Sequence, residues 1–169
     1  GDMKRFLAVA AAVLGIILIT GCATSGGKVK KAVPAGRPDK GIVSRLTGKT
    51  WLLAGYAPDG AFLPLEPEHG TSAMLILNPD GSLEGSTGWN DFSGSWTVRG
   101  KTAKGEYPSA IRIGKTSRDE PPNDIAARFD RDVQRLLGKA SSLKEGQNSF
   151  VLLDSAGEII LRYIFRKAQ

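Results

Sequence analysis

Short apolar stretches separated by turn residues dominate the chain from Thr50 onward. The stretch 92–99 alternates apolar or small residues with polar ones, which is the period-two pattern of a half-buried strand. Pro79-Asp80-Gly81 separates two such stretches, and a proline followed by a glycine is typical of a hairpin turn. The pattern predicts strands at 51–56, 61–65, 72–78, 82–86, 92–99, 110–113, 149–153 and 158–166.

One later stretch has the period of a helix. Its apolar residues recur on one face at Ile125, Phe129, Val133, Leu136 and Leu137. Asn123 is a suitable N-cap, and Gly138 is placed to end the helix. Together the elements predict a mainly β (α+β) domain over residues 46–169, a curved antiparallel sheet or small barrel-like fold with one packed helix.

The N-terminal 21 residues have the features of a signal peptide. We expect Met3 to be the natural start and Gly1-Asp2 to be a remnant of expression. Lys4 and Arg5 precede the uncharged stretch 6–19. As a helix this stretch would span about 21 Å, which is short of the roughly 30 Å of a hydrocarbon core. Residues 1–21 therefore indicate an export signal rather than a permanent membrane span.

The export signal ends in Ile19-Thr20-Gly21-Cys22, which resembles the bacterial lipobox. The resemblance implies cleavage before Cys22, lipidation of its thiol and acylation of the new N-terminus. Three acyl chains exceed the two signals needed for stable anchoring. Ala23 and Thr24 follow without an Asp, as in lipoproteins that are sent to the outer membrane and face the periplasm. An ordinary secretory signal that leaves a free Cys22 is the alternative.

Residues 22–45 have the composition of a flexible linker, rich in Gly, Pro, Ser and Lys. The whole chain has 23 Lys and Arg against 17 Asp and Glu, and much of the excess lies in this linker. The positive charge either attracts anionic headgroups or simply keeps the linker soluble. We expect no nucleic-acid partner, because the protein is exported and charge alone does not establish one.

The most specific motif lies between the predicted strands at 82–86 and 110–113. Gly88, Asn90, Phe92, Gly94 and Trp96 form the spacing Gly-x-Asn-x-Phe-x-Gly-x-aromatic. With the initial Trp strand, the later helix and the final hairpin, this order resembles the META domain, or HslJ-like family, over about residues 46–166. The resemblance implies a small exported or lipid-anchored bacterial domain, in some members linked to stress response, with no established catalytic residues.

The chain departs from that family at two places. The family usually has Cys at the position of Trp89, and a second Cys within the region 117–121. Neither is present, which removes any thiol-based function in this member. With a single His and with Cys22 as the single Cys, the chain also lacks the donors for a zinc site of the Cys/His type.

The motif has two interpretations. In the structural one, the glycines allow a tight turn, Asn90 hydrogen-bonds its own backbone or adopts a left-handed conformation, and Trp96 fills the core. In the functional one, Trp89 and Asp91 alternate away from the buried set and form an exposed contact for a partner or glycan. We take four polar or aromatic residues of the motif region, Trp89, Asn90, Asp91 and Trp96, as the candidate binding residues.

Other candidate chemistry is weak. His69 is expected to be a solvated loop residue, because no nucleophile motif accompanies it. The acidic stretch 118–124 lacks the alternating spacing and the glycine of a calcium loop. We therefore predict no catalytic residues, no metal and no cofactor.

Three functions are consistent with these residues. The first is a non-enzymatic, lipid-anchored envelope protein that binds a protein or an envelope component, in the context of a stress response. The second is a small-molecule binder with a pocket in the curved sheet. The third is an unrecognised hydrolase, which would require a buried titratable group beside a charge partner in a cleft.

Overall fold

The computed structural model of the chain describes residues 39–66 and 73–166. The predicted signal peptide, Cys22, the linker up to residue 38 and His69 lie outside these ranges. The described residues form nine strands, paired antiparallel, and two helices. The predicted mainly β fold with a curved antiparallel sheet is confirmed. In these ranges, neither helix has the length and hydropathy needed to cross a membrane.

The elements follow one another in a simple order along the chain. The helices are α1 (Lys40–Leu46) and α2 (Asp124–Lys139). The strands are β1 (Thr50–Tyr56), β2 (Leu63–Pro64), β3 (Ala73–Leu77), β4 (Ser82–Thr87), β5 (Asp91–Val98), β6 (Tyr107–Thr116), β7 (Ser142–Gly146), β8 (Ser149–Leu153) and β9 (Ile159–Phe165).

The sheet closes on itself because β1 pairs on one edge with β3 and on the other with β9. Eight strands thus form a barrel, and the two-residue β2 extends the β3 edge of β1. The weakest seam is between β6 and β7, which pair only at Tyr107↔Leu143 and Pro108↔Ser142. Helix α2 connects these two strands and packs against β6.

Alternation places one face of each strand inside the barrel. In β3 the residues Ala73, Leu75 and Leu77 are buried while Met74 and Ile76 are half-buried on the outside. The interior is filled by side chains such as Phe150, which contacts the Trp51 ring edge-on at 4.8 Å and stacks on Tyr163 at 5.2 Å. Small barrels have room for little more than these side chains.

Helix α2 confirms the predicted N-cap and corrects two other predictions. The Asn123 side chain accepts a hydrogen bond from the Ala126 N–H at 2.9 Å. The helix continues through Gly138 to Lys139 and is capped by Ala140. Ile125 was predicted on the buried face but is 82% exposed. It lies in the first turn, before the helix reaches the barrel, so the apolar face begins in effect at Phe129.

Helix α1 occupies part of the predicted linker, so the linker prediction is wrong for residues 40–45. The Asp39 carboxylate caps the helix by accepting from the Gly41 N–H at 2.9 Å. Ile42 and Leu46, four residues apart, are fully buried in the barrel core. The Trp51 indole N–H donates to the Leu46 carbonyl at 2.8 Å. These contacts give a seven-residue helix the stability that it would lack alone.

The antiparallel order defines two ends of the barrel. The α1 end consists of α1 with the start of β1 (39–50), the β3–β4 turn (78–81), the β5–β6 turn with its flanking residue (98–106), the β7–β8 turn with its flanking residues (144–149) and residue 166, which follows β9. The Trp89 end consists of the β4–β5 loop, the β8–β9 turn and the segment 117–123 that precedes α2. Strand β7 was not predicted, because it carries a single large apolar residue, Leu143.

Candidate binding surface at the Trp89 end

The β4–β5 loop, residues 88–90, is a tight connection that needs a glycine. Gly88 has φ +94°, a left-handed conformation that other residues rarely adopt. The Thr87 N–H donates to the Asn90 carbonyl at 2.9 Å, and the Gly88 N–H donates to the Ser86 hydroxyl at 3.0 Å. The loop is therefore closed by its own backbone, and Trp89 lies at its tip.

Asn90 ties this loop to the segment before α2. Its Oδ1 accepts from the Asp119 N–H at 2.9 Å and lies 3.0 Å from the Ser117 hydroxyl, and its Nδ2 donates to the Asp119 carbonyl at 3.4 Å. Asn90 is only 5% exposed. It therefore braces the loop rather than meeting a partner. The predicted own-backbone bond or left-handed conformation is wrong, because the amide serves a distant segment and its φ is not positive.

A buried carboxylate supports the same loop from helix α2. The Thr87 hydroxyl donates to the Asp130 carboxylate, which also accepts from Gln134 Nε2 at 3.2 Å. Gln134 Oε1 in turn accepts from the Thr116 hydroxyl at 3.1 Å. These hydrogen bonds join β4, α2 and β6 at the end of β6 that does not pair with β7. Each oxygen of the buried Asp130 carboxylate thus accepts a hydrogen bond.

Trp96 belongs to the core, which corrects its assignment as a candidate binding residue. It is 6% exposed, and its indole N–H donates to the Asn78 carbonyl at 2.9 Å, at the α1 end. Phe92 is also buried, and its ring lies over Gly85, where a Cβ would approach the ring within 2.3 Å. A Cβ on Gly94 would lie 1.9 Å from the Arg112 carbonyl oxygen, so this glycine permits the close β5–β6 approach.

Trp89 and Asp91 remain as the exposed members of the motif. Trp89 is 48% exposed. The Asp91 side chain is exposed while its backbone is held on both sides: its N–H donates to the Ser117 hydroxyl at 3.0 Å and its carbonyl accepts from the Ser117 N–H at 2.8 Å. The loop thus presents an aromatic ring and a carboxylate from a fixed backbone.

Asp91 also lies on the rim of a groove of about 440 Å³ on the outer face of the sheet. Met74, Ile76 and Phe92 form the apolar part of its lining, and Lys115 lies on its rim. A second open groove, of about 670 Å³, lies beside Phe62, Ile159 and Arg162. Both grooves are on the outside of the barrel.

The acidic stretch before α2 serves the loop and the helix. Asp119 bonds to Asn90 through its backbone and contacts Ser117 Oγ through its carboxylate at 3.0 Å, and Asn123 caps α2. Among residues 39–66 and 73–166, no group of three or more His, Cys, Asp or Glu side chains is arranged to hold a metal ion.

Sequence reasoning missed the residues that brace the loop, namely Thr87, Ser117, Asp130 and Gln134. One signal was available for Asp130. It precedes Val133 by three residues and Leu137 by seven, so it lies on the apolar face of the predicted helix, where an acidic residue requires partners. Ser117 gave no local signal, because its role depends on Asn90, 27 positions away.

Comparison with known proteins supports the fold. No family model matches the chain, and no curated protein matches it. A DUF4847 family protein from Bacteroides vulgatus is 14% identical, with a TM-score of 0.52 over 76% of this chain and 99% of that one. A protein from Burkholderia xenovorans is 15% identical, with a TM-score of 0.53 over 82% and 95% of the two chains. At these identities the likeness concerns the fold alone.

Proposed function

We propose that this chain is a non-enzymatic, lipid-anchored envelope protein whose META/HslJ-like domain binds another envelope protein or component through the Trp89 end. The observation that carries the proposal is a braced loop with two exposed functional side chains. Trp89 is half exposed while its neighbour Asn90 is buried, with both ends of its amide bonded to the Asp119 backbone.

The chemistry of this loop suits recognition. A tryptophan offers a large apolar face and one N–H donor, and such residues dominate the binding energy of many interfaces. Asp91, two residues further along the chain, adds an exposed carboxylate. Because the loop backbone is already fixed in the free protein, little conformational entropy is lost when a partner binds.

The location proposed for this binding rests on the N-terminal sequence. The signal peptide, the lipobox and the absence of Asp after Cys22 support attachment to the outer membrane, facing the periplasm. The family resemblance extends the proposal to a role in stress response. The buried Asp130 supports a non-enzymatic interpretation, since its hydrogen bonds go to Thr87 and Gln134 of the loop support.

The proposal is tested by cross-linking the native, lipidated protein in cells and identifying what co-purifies. We expect a specific partner that is lost in Trp89→Ala/Asp91→Ala. Ile159→Ala/Glu158→Ala is the matched control, because Ile159 is 44% exposed, Glu158 is an exposed acid beside it, and both line the second groove. Capture that is unaffected by the first variant, or lost only in the control, would refute the assignment of the contact to Trp89 and Asp91.

A small-molecule function is the second candidate, and the groove beside Asp91 favours it. Its volume of about 440 Å³ suits a small ligand, and its lining combines Met74 and Ile76 with the charges of Asp91 and Lys115. A ligand screen by NMR tests it. The expected result is shifts at Ile76 and Ser93 that disappear in Asp91→Ala, while shifts confined to the second groove would count against this site.

A further inference from the structure

Charge is divided unevenly between the ends of the barrel. The α1 end, taken as residues 39–50, 78–81, 98–106, 144–149 and 166, contains eight Lys and Arg against four Asp and Glu. The other described residues contain eight Lys and Arg against eleven Asp and Glu. The α1 end is therefore positive and the remainder of the barrel negative, although the described residues together are almost neutral.

Most of the positive charge at the α1 end faces solvent. Arg45 is neutralised locally, since its guanidinium lies 2.7 and 3.0 Å from the two oxygens of Glu145. Lys101, Lys104 and Lys144 are exposed and form no ion pair with another described residue. Lys101 instead lies 5.8 Å from the centre of the Tyr107 ring. These ammonium groups remain available to anions.

The chain joins the barrel at this positive end. Asp39 is the first described residue, and Cys22 precedes it by 17 positions. Even fully extended, such a segment reaches at most about 60 Å. It contains four further basic residues, Lys28, Lys30, Lys31 and Arg37. If Cys22 is lipidated, as the proposed function requires, the end that carries α1 is the one tethered to the bilayer.

We propose that the α1 end is a docking surface for anionic lipid headgroups in the membrane that holds the Cys22 anchor. Each Lys or Arg close to an anionic membrane strengthens attachment about five-fold. The attraction fades within a Debye length of about 8 Å, so only the end that touches the bilayer benefits. Docking in this way turns the Trp89 end away from the membrane, toward partners in solution.

The experiment measures orientation, because the lipid anchor alone would bind every variant to vesicles. The full lipidated chain is labelled at Ala103→Cys, in the β5–β6 turn of the α1 end, or at Ala156→Cys, in the opposite β8–β9 turn. Both alanines are exposed. Energy transfer to headgroup-labelled lipid is recorded in phosphatidylcholine vesicles with and without phosphatidylglycerol.

The expected result is stronger transfer from position 103. Strands that rise about 3.3 Å per residue hold the two ends roughly 20–30 Å apart, so transfer from 103 should exceed that from 156 at least about two-fold in anionic vesicles. The difference should disappear in neutral vesicles and at high salt. Equal energy transfer from both labels would overturn the proposal, and so would a difference between the labels that is the same in neutral and anionic vesicles.

Matched charge reversals identify the surface. Lys101→Glu/Lys104→Glu/Lys144→Glu should abolish the difference between the labels. Lys115→Glu/Arg118→Glu/Arg131→Glu changes the net charge equally, outside the α1 end, and should preserve it. Loss of orientation in both triple variants would refute the assignment to the α1 end. Protein that does not float with vesicles would overturn the anchoring and this docking together, whereas attached but unoriented protein would overturn the docking alone.

Discussion

The two ends of this barrel are closed by different chemistry. At the α1 end, the side chains of Ile42 and Leu46 fill the opening, and one indole N–H bond from Trp51 fastens the helix. At the Trp89 end, the side chains of Thr87, Asn90 and Asp130 are buried. The Thr87 hydroxyl donates to the Asp130 carboxylate and accepts from the Asn90 backbone N–H at 3.2 Å, and the Asn90 amide donates to the Asp119 carbonyl at 3.4 Å.

The difference shows what each kind of closure can do. Hydrophobic burial has no preferred direction, so an apolar plug closes the barrel without dictating the orientation of the groups around it. Hydrogen bonds are directional, so the polar network holds the backbone that carries Trp89 and Asp91 in one arrangement. The first end contributes stability and the second contributes a defined surface.

The largest predicted effect comes from a substitution at the apolar α1 end. Leu46→Ala removes a fully buried side chain and leaves a cavity, so the free energy of unfolding should fall by about 3 kcal/mol. Urea denaturation measures it. Ser44→Ala, on the exposed face of α1, is the control and should change stability by less than about 0.5 kcal/mol. A loss below about 1 kcal/mol for Leu46→Ala would mean that α1 does not plug the barrel.

The second prediction concerns a substitution in the polar network of the Trp89 end. Asp130→Ala leaves the Thr87 hydroxyl and the Gln134 amide without their buried partner, which should cost about 2 kcal/mol of unfolding free energy. The double variant Thr87→Val/Asp130→Leu removes both polar groups and should lose less than the sum of its single changes.

Amide hydrogen exchange tests whether the destabilisation by Asp130→Ala is localised in the β4–β5 loop. Exchange in residues 88–91 should accelerate in Asp130→Ala. Asp132→Ala breaks the ion pairs to the exposed Arg128 and Arg135 but removes no hydrogen bond to the β4–β5 loop, and should leave that exchange unchanged. Additive single changes, or unaltered exchange in Asp130→Ala, would contradict a network that holds the loop.

The third prediction concerns the core between the two ends and its response to alkali. Burial raises the pKa of the Tyr163 phenol above its ordinary value. The unfolded chain therefore loses this proton near pH 10, while the folded chain retains it. Stability should fall as pH rises above about 10, by at most about 1.4 kcal/mol per pH unit for this group.

Tyr163→Phe should flatten that alkaline decline when unfolding is followed between pH 8 and 11. Some decline should remain, because the pKa of Tyr56 is also raised, first by burial and then by the Asp132 carboxylate. An unchanged slope in Tyr163→Phe would show that the phenol does not titrate on unfolding.

The smallest predicted effect on stability sharpens the contrast between the ends. Trp89→Ala alters a half-exposed tip and should change the free energy of unfolding by no more than about 0.5 kcal/mol, while capture of a partner is lost. Thermal unfolding and cell cross-linking, measured side by side, check it. A large destabilisation would place Trp89 with the structural residues of the motif.

Parts of the fold were predictable because their signals are local. The β8 strand was predicted at its observed bounds, and the Asn123 cap was correct, since both depend on residues within a few positions. Strand β7 and helix α1 were missed. Each is short, and each exists because distant residues supply its partners.

The candidate site was only half predictable for the same reason. Alternation separated Trp89 and Asp91, which are exposed, from Phe92, which is buried. It left Asn90 and Trp96 open to either interpretation. Their burial agrees with the phase that they share with Phe92, but no periodicity in the motif reveals their hydrogen-bond partners at Asp119 and Asn78.

The sequence by itself determined the mainly β class, the turns, the single long helix and the lipobox that predicts an anchored protein, because each is written in neighbouring residues. Tertiary structure decided that β1 meets β9, that α1 plugs one end, and that Asp130 braces the loop from 43 positions away. Those features depend on contacts between residues far apart in the chain, and only folding brings such residues together.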